Sequence, residues 1–270
     1  MPEFLLERSE EAVTELRLNR PAARNALSRQ VMAELDAAVL RVGADPETHV
    51  IVLAASGPAF SGGHDLKEIT AARADADGGH AFFEATMAEC ARLMQRIVTC
   101  PKPVIAAVQG IATAAGCQLV ASCDLAVASS AAKFATPGVN IGLFCSTPMV
   151  ALSRNVPRKQ AMEMLLTGEM IAAEKAETIG LVNRVVPPEH LERATWDLAR
   201  QIASKAPKTL KIGKEAFYRQ SEMPLAEAYD YAARVMVDNL MISDAREGIG
   251  AFVEKRQPNW ERLDGSDQDG

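Results

Sequence analysis

Few side chains in this chain have both the type and the spacing to do chemistry. The densest group is Pro58-Ala59-Phe60-Ser61-Gly62-Gly63-His64-Asp65-Leu66-Lys67, where two glycines free the backbone beside a histidine, an acid and a lysine. A second is the small-residue run Ala112-Thr113-Ala114-Ala115-Gly116, leading into Cys117-Gln118. Gly116-Cys117-Gln118 should start a helix, whose N–H groups and positive end would favour negative charge. Taken alone, such a run is an ordinary sign of tight packing. A third group is Phe144-Cys145-Ser146-Thr147-Pro148, with a thiol and a hydroxyl side by side. Other chemistries lack support. The histidines, His49, His64, His80 and His190, are scattered, with no H-x-x-x-H and no Cys/His cluster, so no metal site is expected. No G-x-G-x-x-G follows a strand and no G-x-x-x-x-G-K-S/T occurs, which argues against a nucleotide cofactor.

These residues need elements to hold them. Thr14 to Leu18 alternates as a half-buried strand, and Asn19-Arg20-Pro21 breaks it. Ser28 caps a helix with Val31, Leu35, Val39 and Val42 on one stripe, ended by Asp45-Pro46. Val50 to Leu53 is a continuous apolar run, as in a strand buried on both faces. Ser56 to Gly63 reads as a loop, and Arg73 to Gly79, small and polar, as a mobile segment. A helix carrying Phe83, Met87, Ala91, Met94 and Val98 is stopped by Cys100-Pro101-Lys102-Pro103. Strands follow at Val104 to Val108 and at Asp124 to Ala128, with Asp124 holding a turn. Helices over 160–166 and 172–179 are closed by Gly168 and Gly180, and a short strand covers 181–186. Three helices finish the chain at 189–204, 207–220 and 224–255, the last broken near Ser243-Asp244. Strand-then-helix units with a helical end imply an α/β body over 1–204, a helical extension over 205–262 and a disordered tail over 263–270.

The net charge of −6 and a pI near 5.4 leave no basic stripe for nucleic acid. No stretch reaches the roughly 18 apolar residues of a membrane span, and the acidic N-terminus does not read as a signal peptide. Five cysteines, Cys90, Cys100, Cys117, Cys123 and Cys145, form no C-x-x-C pair and point to reduced thiols in a cytoplasmic setting.

Three segments together resemble the crotonase (enoyl-CoA hydratase/isomerase) superfamily. They are Pro58 to Lys67; Pro101 to Gly110, running on to Gly116-Cys117 and Cys123-Asp124; and Ala132 to Pro137 with Ile141-Gly142-Leu143. Ala161 to Gly168 and Gly180 to Val186 agree as well. The resemblance implies a spiral of stacked ββα turns with C-terminal trimerising helices, assembled as a homotrimer or a dimer of trimers. It implies acyl-CoA as ligand, with coenzyme A arriving on the substrate rather than as a resident cofactor. The thioester carbonyl would sit in an oxyanion hole made by the backbone N–H groups of His64 and Ala115. Losing one such donor typically costs about 2.7–4 kcal/mol. Arg24, Lys67 and Lys255 would lie near the CoA phosphates, and Ala26, Gly62, Asp65 and Leu66 along the CoA.

One departure from the family pattern matters. Its hydratases, lyases of fatty acid metabolism, hold and activate water with two carboxylates. Those positions here are Gln118 and Gly138. An amide has no useful proton affinity and glycine has no side chain, while general acid–base catalysis typically gives 10²–10⁴-fold. Gln118 could still orient a water or a polar acyl group. The His64 ring, and Cys145 and Ser146 on a loop, are the candidates for replacement chemistry, though each also reads as an ordinary packing or loop group. Two functions follow. One is an enzyme using oxyanion-hole chemistry on a CoA thioester, weak or inactive in crotonyl-CoA hydration. The other is a non-catalytic acyl-CoA-binding or scaffolding subunit. Restoring the carboxylates, Gln118→Glu with Gly138→Glu, is expected to raise hydration.

Overall fold

The computed structural model describes residues 4–260. The chain opens with β1 (Leu5–Glu10), β2 (Val13–Leu18), α1 (Arg29–Ala44), β3 (Val50–Ala55), β4 (Ala59–Ser61), α2 (Leu66–Ala72) and α3 (His80–Thr99). It continues through β5 (Val104–Val108), β6 (Ile111–Thr113), α4 (Ala115–Ser122), β7 (Leu125–Ser129), β8 (Lys133–Ala135), α5 (Ser146–Asn155) and α6 (Arg158–Thr167). The remainder is β9 (Ile171–Ala172), α7 (Ala173–Thr178), β10 (Arg184–Val186), α8 (Leu191–Ala203), α9 (Pro207–Gln220), α10 (Leu225–Met241) and α11 (Ser243–Val253).

One sheet has the order β1-β2-β3-β5-β7-β10 and the other β4-β6-β8-β9. Successive strand pairs, β3/β4, β5/β6 and β7/β8, give one strand to each sheet, and helices follow each pair. The result is the stacked ββα spiral. All neighbours from β2 to β10 in the first sheet are parallel, and β1 closes its edge antiparallel to β2. Every residue of β3 is buried, because both faces of its sheet are covered. The main core, with Leu35, Leu53, Phe60, Leu93 and Phe134, lies on one side. On the other, Leu191, Trp196 and Leu198 of α8 pack over Val50, Val52, Ile105 and Val127. Ser28 caps α1 as its position suggests, its Oγ accepting from the Val31 N–H at 3.3 Å. No described helix is long and apolar enough to cross a membrane.

The structure corrects one expectation and adds detail to another. Arg73 to Gly79, read as mobile from its composition, is built of turns. They are hydrogen-bonded, and the Asp77 carboxylate accepts from the Gly79 and Ala81 N–H groups. The stretch around Cys145 and Ser146 is not a loop: Cys145 is the N-cap of α5 and Ser146 its first residue. Pro148 falls in the first helical turn, where its missing N–H costs nothing. The tail over 263–270 lies outside the described residues.

Asp124 does more than hold a turn. Its Oδ2 accepts from the Val104 N–H and from Lys214 Nζ, each at 2.7 Å, and its Oδ1 accepts from Tyr218 at 2.8 Å. Lys214 Nζ also donates to the carbonyls of Ile97 and Lys102, both at 3.0 Å. The Tyr218 phenol is held well above its usual pKa by burial first and then by the adjacent Asp124 carboxylate. Helices α9 and α10 bury no residue, so this polar knot ties α9 to the body. Removing one partner of a buried ion pair typically costs about 3–5 kcal/mol, because the other charge is stranded. Asp124→Asn should therefore lower unfolding free energy by about 3 kcal/mol in urea titrations. Adding Lys214→Met to that variant should recover part of the loss.

Candidate functional site

Two backbone segments meet here with no side chain between them. Gly63 has φ +89°, and a Cβ there would stand 2.9 Å from Ala114 Cβ, 3.0 Å from Thr113 O and 3.3 Å from Ala115 N. Gly116 faces the same contact from the other side, where a Cβ would stand 2.3 Å from Ser61 O. Neither position admits a side chain. The segment after β4 is pinned elsewhere too: Gly62 N–H donates to Arg24 O at 2.9 Å, and Leu27 N–H to Gly63 O at 2.8 Å. Asn25 is buried and splints this turn, its Nδ2 donating to Ser56 O and Ala59 O.

Ala114 precedes α4 with φ 51° and ψ −120°, a conformation that glycine favours, and donates its N–H to Ala135 O at 2.9 Å. Strain of this kind costs about 1–3 kcal/mol and persists only where the surroundings enforce it. Ala115 then opens α4, fully buried. Among the described residues, neither the His64 N–H nor the Ala115 N–H has an acceptor. Two donors, the Ala115 one on a fully buried residue, are thus left open at one glycine-bounded contact, one of them at a helix N-terminus.

The side chains singled out from the sequence at 64, 118, 145 and 146 are uncharged. Both His64 ring nitrogens are buried without a hydrogen bond. Burial lowers the His64 pKa below its ordinary 6.5, and the nearby Leu27 carbonyl opposes that only in part. Gln118 lies one turn into α4, buried, with Cys90 Sγ 3.8 Å from its Oε1. Among the described residues its Nε2 makes no hydrogen bond. Gly138 has an ordinary φ and is small for want of space. A Cβ there would stand 2.7 Å from Leu143 O and 2.9 Å from Cys145 Sγ. The Cys145 thiol takes the Gly138 N–H at 3.3 Å. Burial pushes its pKa up, against the pull of that N–H, so it is a neutral thiol and not a thiolate. Burial likewise pushes Cys90 up to about 11 and Cys117 to about 12. Ser146 is exposed and bonds weakly to Phe144 O. A side chain restored at 138 would meet the Leu143 carbonyl and the Cys145 sulfur, so one of them must shift to admit it.

The remaining predicted residues divide. Arg24 and Ala26 lie against the Gly62–Gly63 turn, and Leu66 and Lys67 open α2 in solvent. Asp65 is engaged internally: its carboxylate caps α2 through the Lys67 N–H at 3.0 Å and pairs with Arg20 at 2.8 Å. Burial raises its pKa, but those bonds outweigh it and hold the group low. Lys255 follows α11 and reaches none of these residues within the protomer. No cluster of His, Cys, Asp or Glu able to hold a metal occurs among the described residues. Sequence reasoning passed over Asn25, Ala114 and Cys90. An asparagine four residues after Pro21 was a legible turn signal, whereas the contact of Cys90 with Gln118 arises only from the packing of α3 on α4.

The sequence matches the enoyl-CoA hydratase/isomerase family over residues 8–263. Enoyl-CoA hydratase domain-containing protein 3, mitochondrial, of Rattus norvegicus is 46% identical over 259 residues, covering 96% of this chain and 85% of the relative. A crystal structure of enoyl-CoA hydratase from Mycobacterium smegmatis superimposes with TM-score 0.92 at 49% identity, over 96% of this chain and all of the other. The human enoyl-CoA hydratase domain-containing protein 3 structure gives 0.91 at 45%, with the same coverage.

The depressed His64 pKa fixes a pH dependence. The unfolded histidine takes a proton near 6.5 and the folded one only below that. Stability from this group is complete above 6.5 and is lost as pH falls through the folded value. His64→Gln should flatten the fall in chemical-denaturation stability between about pH 7 and pH 5.

Proposed function

The chain belongs to the enoyl-CoA hydratase/isomerase family, and on that premise we propose that it binds an acyl-CoA thioester with the carbonyl oxygen between the N–H groups of His64 and Ala115. One observation carries this reading: two backbone donors without acceptors among the described residues, at a contact that Gly63 and Gly116 keep free of side chains. Preorganised donors of this kind stabilise enolate-like charge without reorganising. The family acts on acyl-CoA. The Arg24–Gly62 turn and Lys67 suit the phosphate end, while Gln118, Cys90 and Cys145 face an uncharged acyl group. Because Asp65 spends its carboxylate on Arg20 and α2, its part is to shape the loop, not to touch the CoA.

Hydration is poorly served. A water attacking the β-carbon must lose a proton, and the α-carbon must gain one. Gln118 can do neither, and at position 138 Leu143 O and Cys145 Sγ fill the space. That filled space also favours the second reading, a non-catalytic acyl-CoA-binding or scaffolding subunit. The buried thiols, all free, suit a reducing compartment, for which we keep the cytoplasm.

Assembly completes the proposal. Leu225, Tyr229, Met236, Leu240 and Met241 of α10 are each more than half exposed. A trimer or a dimer of trimers would cover them, with Lys255 contributed toward a neighbour's CoA.

Crotonyl-CoA should stabilise the protein by about 2.7 kcal/mol at a hundredfold excess over Kd, with free CoA doing less; no shift with either sinks the binding claim. Crotonyl-CoA turnover, followed by loss of enoyl-thioester absorbance, should fall far below about 10 per second. Gln118→Glu with Gly138→Glu should not restore it. Light scattering should return a trimer or hexamer, and a monomer at micromolar concentration would refute the assembly.

A further inference from the structure

We infer that Ser61 is a positioning residue for the backbone donor at His64: its hydroxyl, seated on the Asn25 carbonyl, holds the Gly63–His64 peptide in the orientation that offers the His64 N–H to a thioester oxygen. Given the acyl-CoA reading above, on which this rests, a site built of backbone N–H groups acquires a side chain on which its geometry depends. The need arises from glycine. Gly63 has φ +89°, and a glycine visits positive and negative φ about equally unless it is held. Both of its polar groups are tied. Its N–H donates to Ser61 Oγ at 3.3 Å, and its carbonyl accepts from the Leu27 N–H at 2.8 Å. A trans peptide is planar, with N–H and C=O on opposite sides. Because Gly63 O faces Leu27, the His64 N–H of the same peptide faces away from the 24–27 segment. The parallel bridge of Leu27 with His64 agrees, since the Asp65 N–H turns back to Leu27 O at 3.4 Å.

Ser61 can do this because it is fixed in turn. It is fully buried, and its Oγ donates to Asn25 O at 2.9 Å. A carbonyl only accepts, so the hydroxyl proton is committed to Asn25, and the hydroxyl oxygen is left to accept from Gly63. Asn25 is buried and left-handed, with φ 50°. Its N–H donates to Arg20 O at 2.9 Å, its Oδ1 accepts from the Arg20 N–H at 2.8 Å, and its Nδ2 donates to Ser56 O and Ala59 O, each at 2.8 Å. An unbroken chain of bonds thus runs from the end of β3 through Asn25 and Ser61 to Gly63. Ser61 also abuts the second donor's segment, since a Cβ at Gly116, the residue after Ala115, would stand 2.8 Å from Ser61 Cβ. With its hydroxyl spent on Asn25 and Gly63, Ser61 has no part in touching a ligand. Its effect passes through the His64 peptide.

The test uses the full chain and crotonyl-CoA isotope-labelled at the thioester carbonyl, read by difference infrared spectroscopy. Wild-type protein should lower the carbonyl stretch of bound crotonyl-CoA below that of the free thioester, because two fixed donors polarise the bond. Ser61→Ala removes the acceptor for the Gly63 N–H and no group that reaches a ligand. It should return the stretch part of the way to the free value and weaken crotonyl-CoA binding by about three- to tenfold, as one lost hydrogen bond does, with free CoA affinity unchanged. Ser61→Cys, which keeps a weak acceptor, should fall between the two, and it carries the test if the alanine variant shows no cooperative urea transition. An unmoved stretch in the folded variant overturns the proposal. So does an equal loss of affinity for crotonyl-CoA and free CoA, the mark of general loosening. A wild-type chain that binds no crotonyl-CoA overturns the acyl-CoA reading itself, and this proposal with it.

Discussion

The backbone of Ser61–Gly63 lies directly against the backbone of Thr113–Gly116, and the rest of the structure is arranged around that contact. It joins the second sheet to the helix that follows it, through two positions where even a methyl group would overlap a neighbour. The approach fixes where α4 begins. All eight residues of α4 are buried, so the helix cannot shift to relieve strain at its start. Ala114 accepts a glycine-like conformation as a result. A rigid frame of this sort is what a polarising site needs, because donors that must move to meet developing charge lose much of their effect.

The chemistry around the frame is the chemistry of neutral groups. On α4 and the segments packed beside it lie an amide, Gln118, with the Cys90 thiol against it, the Cys145 thiol against Gly138, and the uncharged His64 imidazole. Burying a lone carboxylate in such surroundings costs far more than burying an amide or a thiol. Without an acid at 138 the chain packs tightly there, with the Cys145 sulfur and the Leu143 carbonyl where a Cβ would stand. Under the function proposed above, binding would rest on backbone and shape, and hydration on carboxylates that the sequence lacks at 118 and 138.

Much of this was legible in the sequence where the signal is local. The stripe of Val31, Leu35, Val39 and Val42, the all-apolar β3 and the left-handed Gly168 and Gly180 gave α1, the central strand and two helix ends. The three-residue strands β4, β6 and β8 were not legible, because they are made by pairing with partners distant in sequence. Helix α5 hid behind Pro148, which reads as a breaker but sits where helices tolerate it. At the site, glycine-rich words marked the Gly63–Ala115 contact. What fills the space at Gly138 depended on the path of 139–145, which no local pattern specifies.

The Asp124 knot has a consequence for synthesis. Its lysine lies 90 residues further along the chain. At 5–20 residues per second, the ribosome takes about 5–20 s to reach Lys214 after Asp124. During that interval β5, β7 and α4 can pair and pack, but the carboxylate beneath them has no cation. The emerging body is complete in its strands and incomplete in its electrostatics. The last quarter of the chain therefore acts as a lock on what the first three quarters have already built.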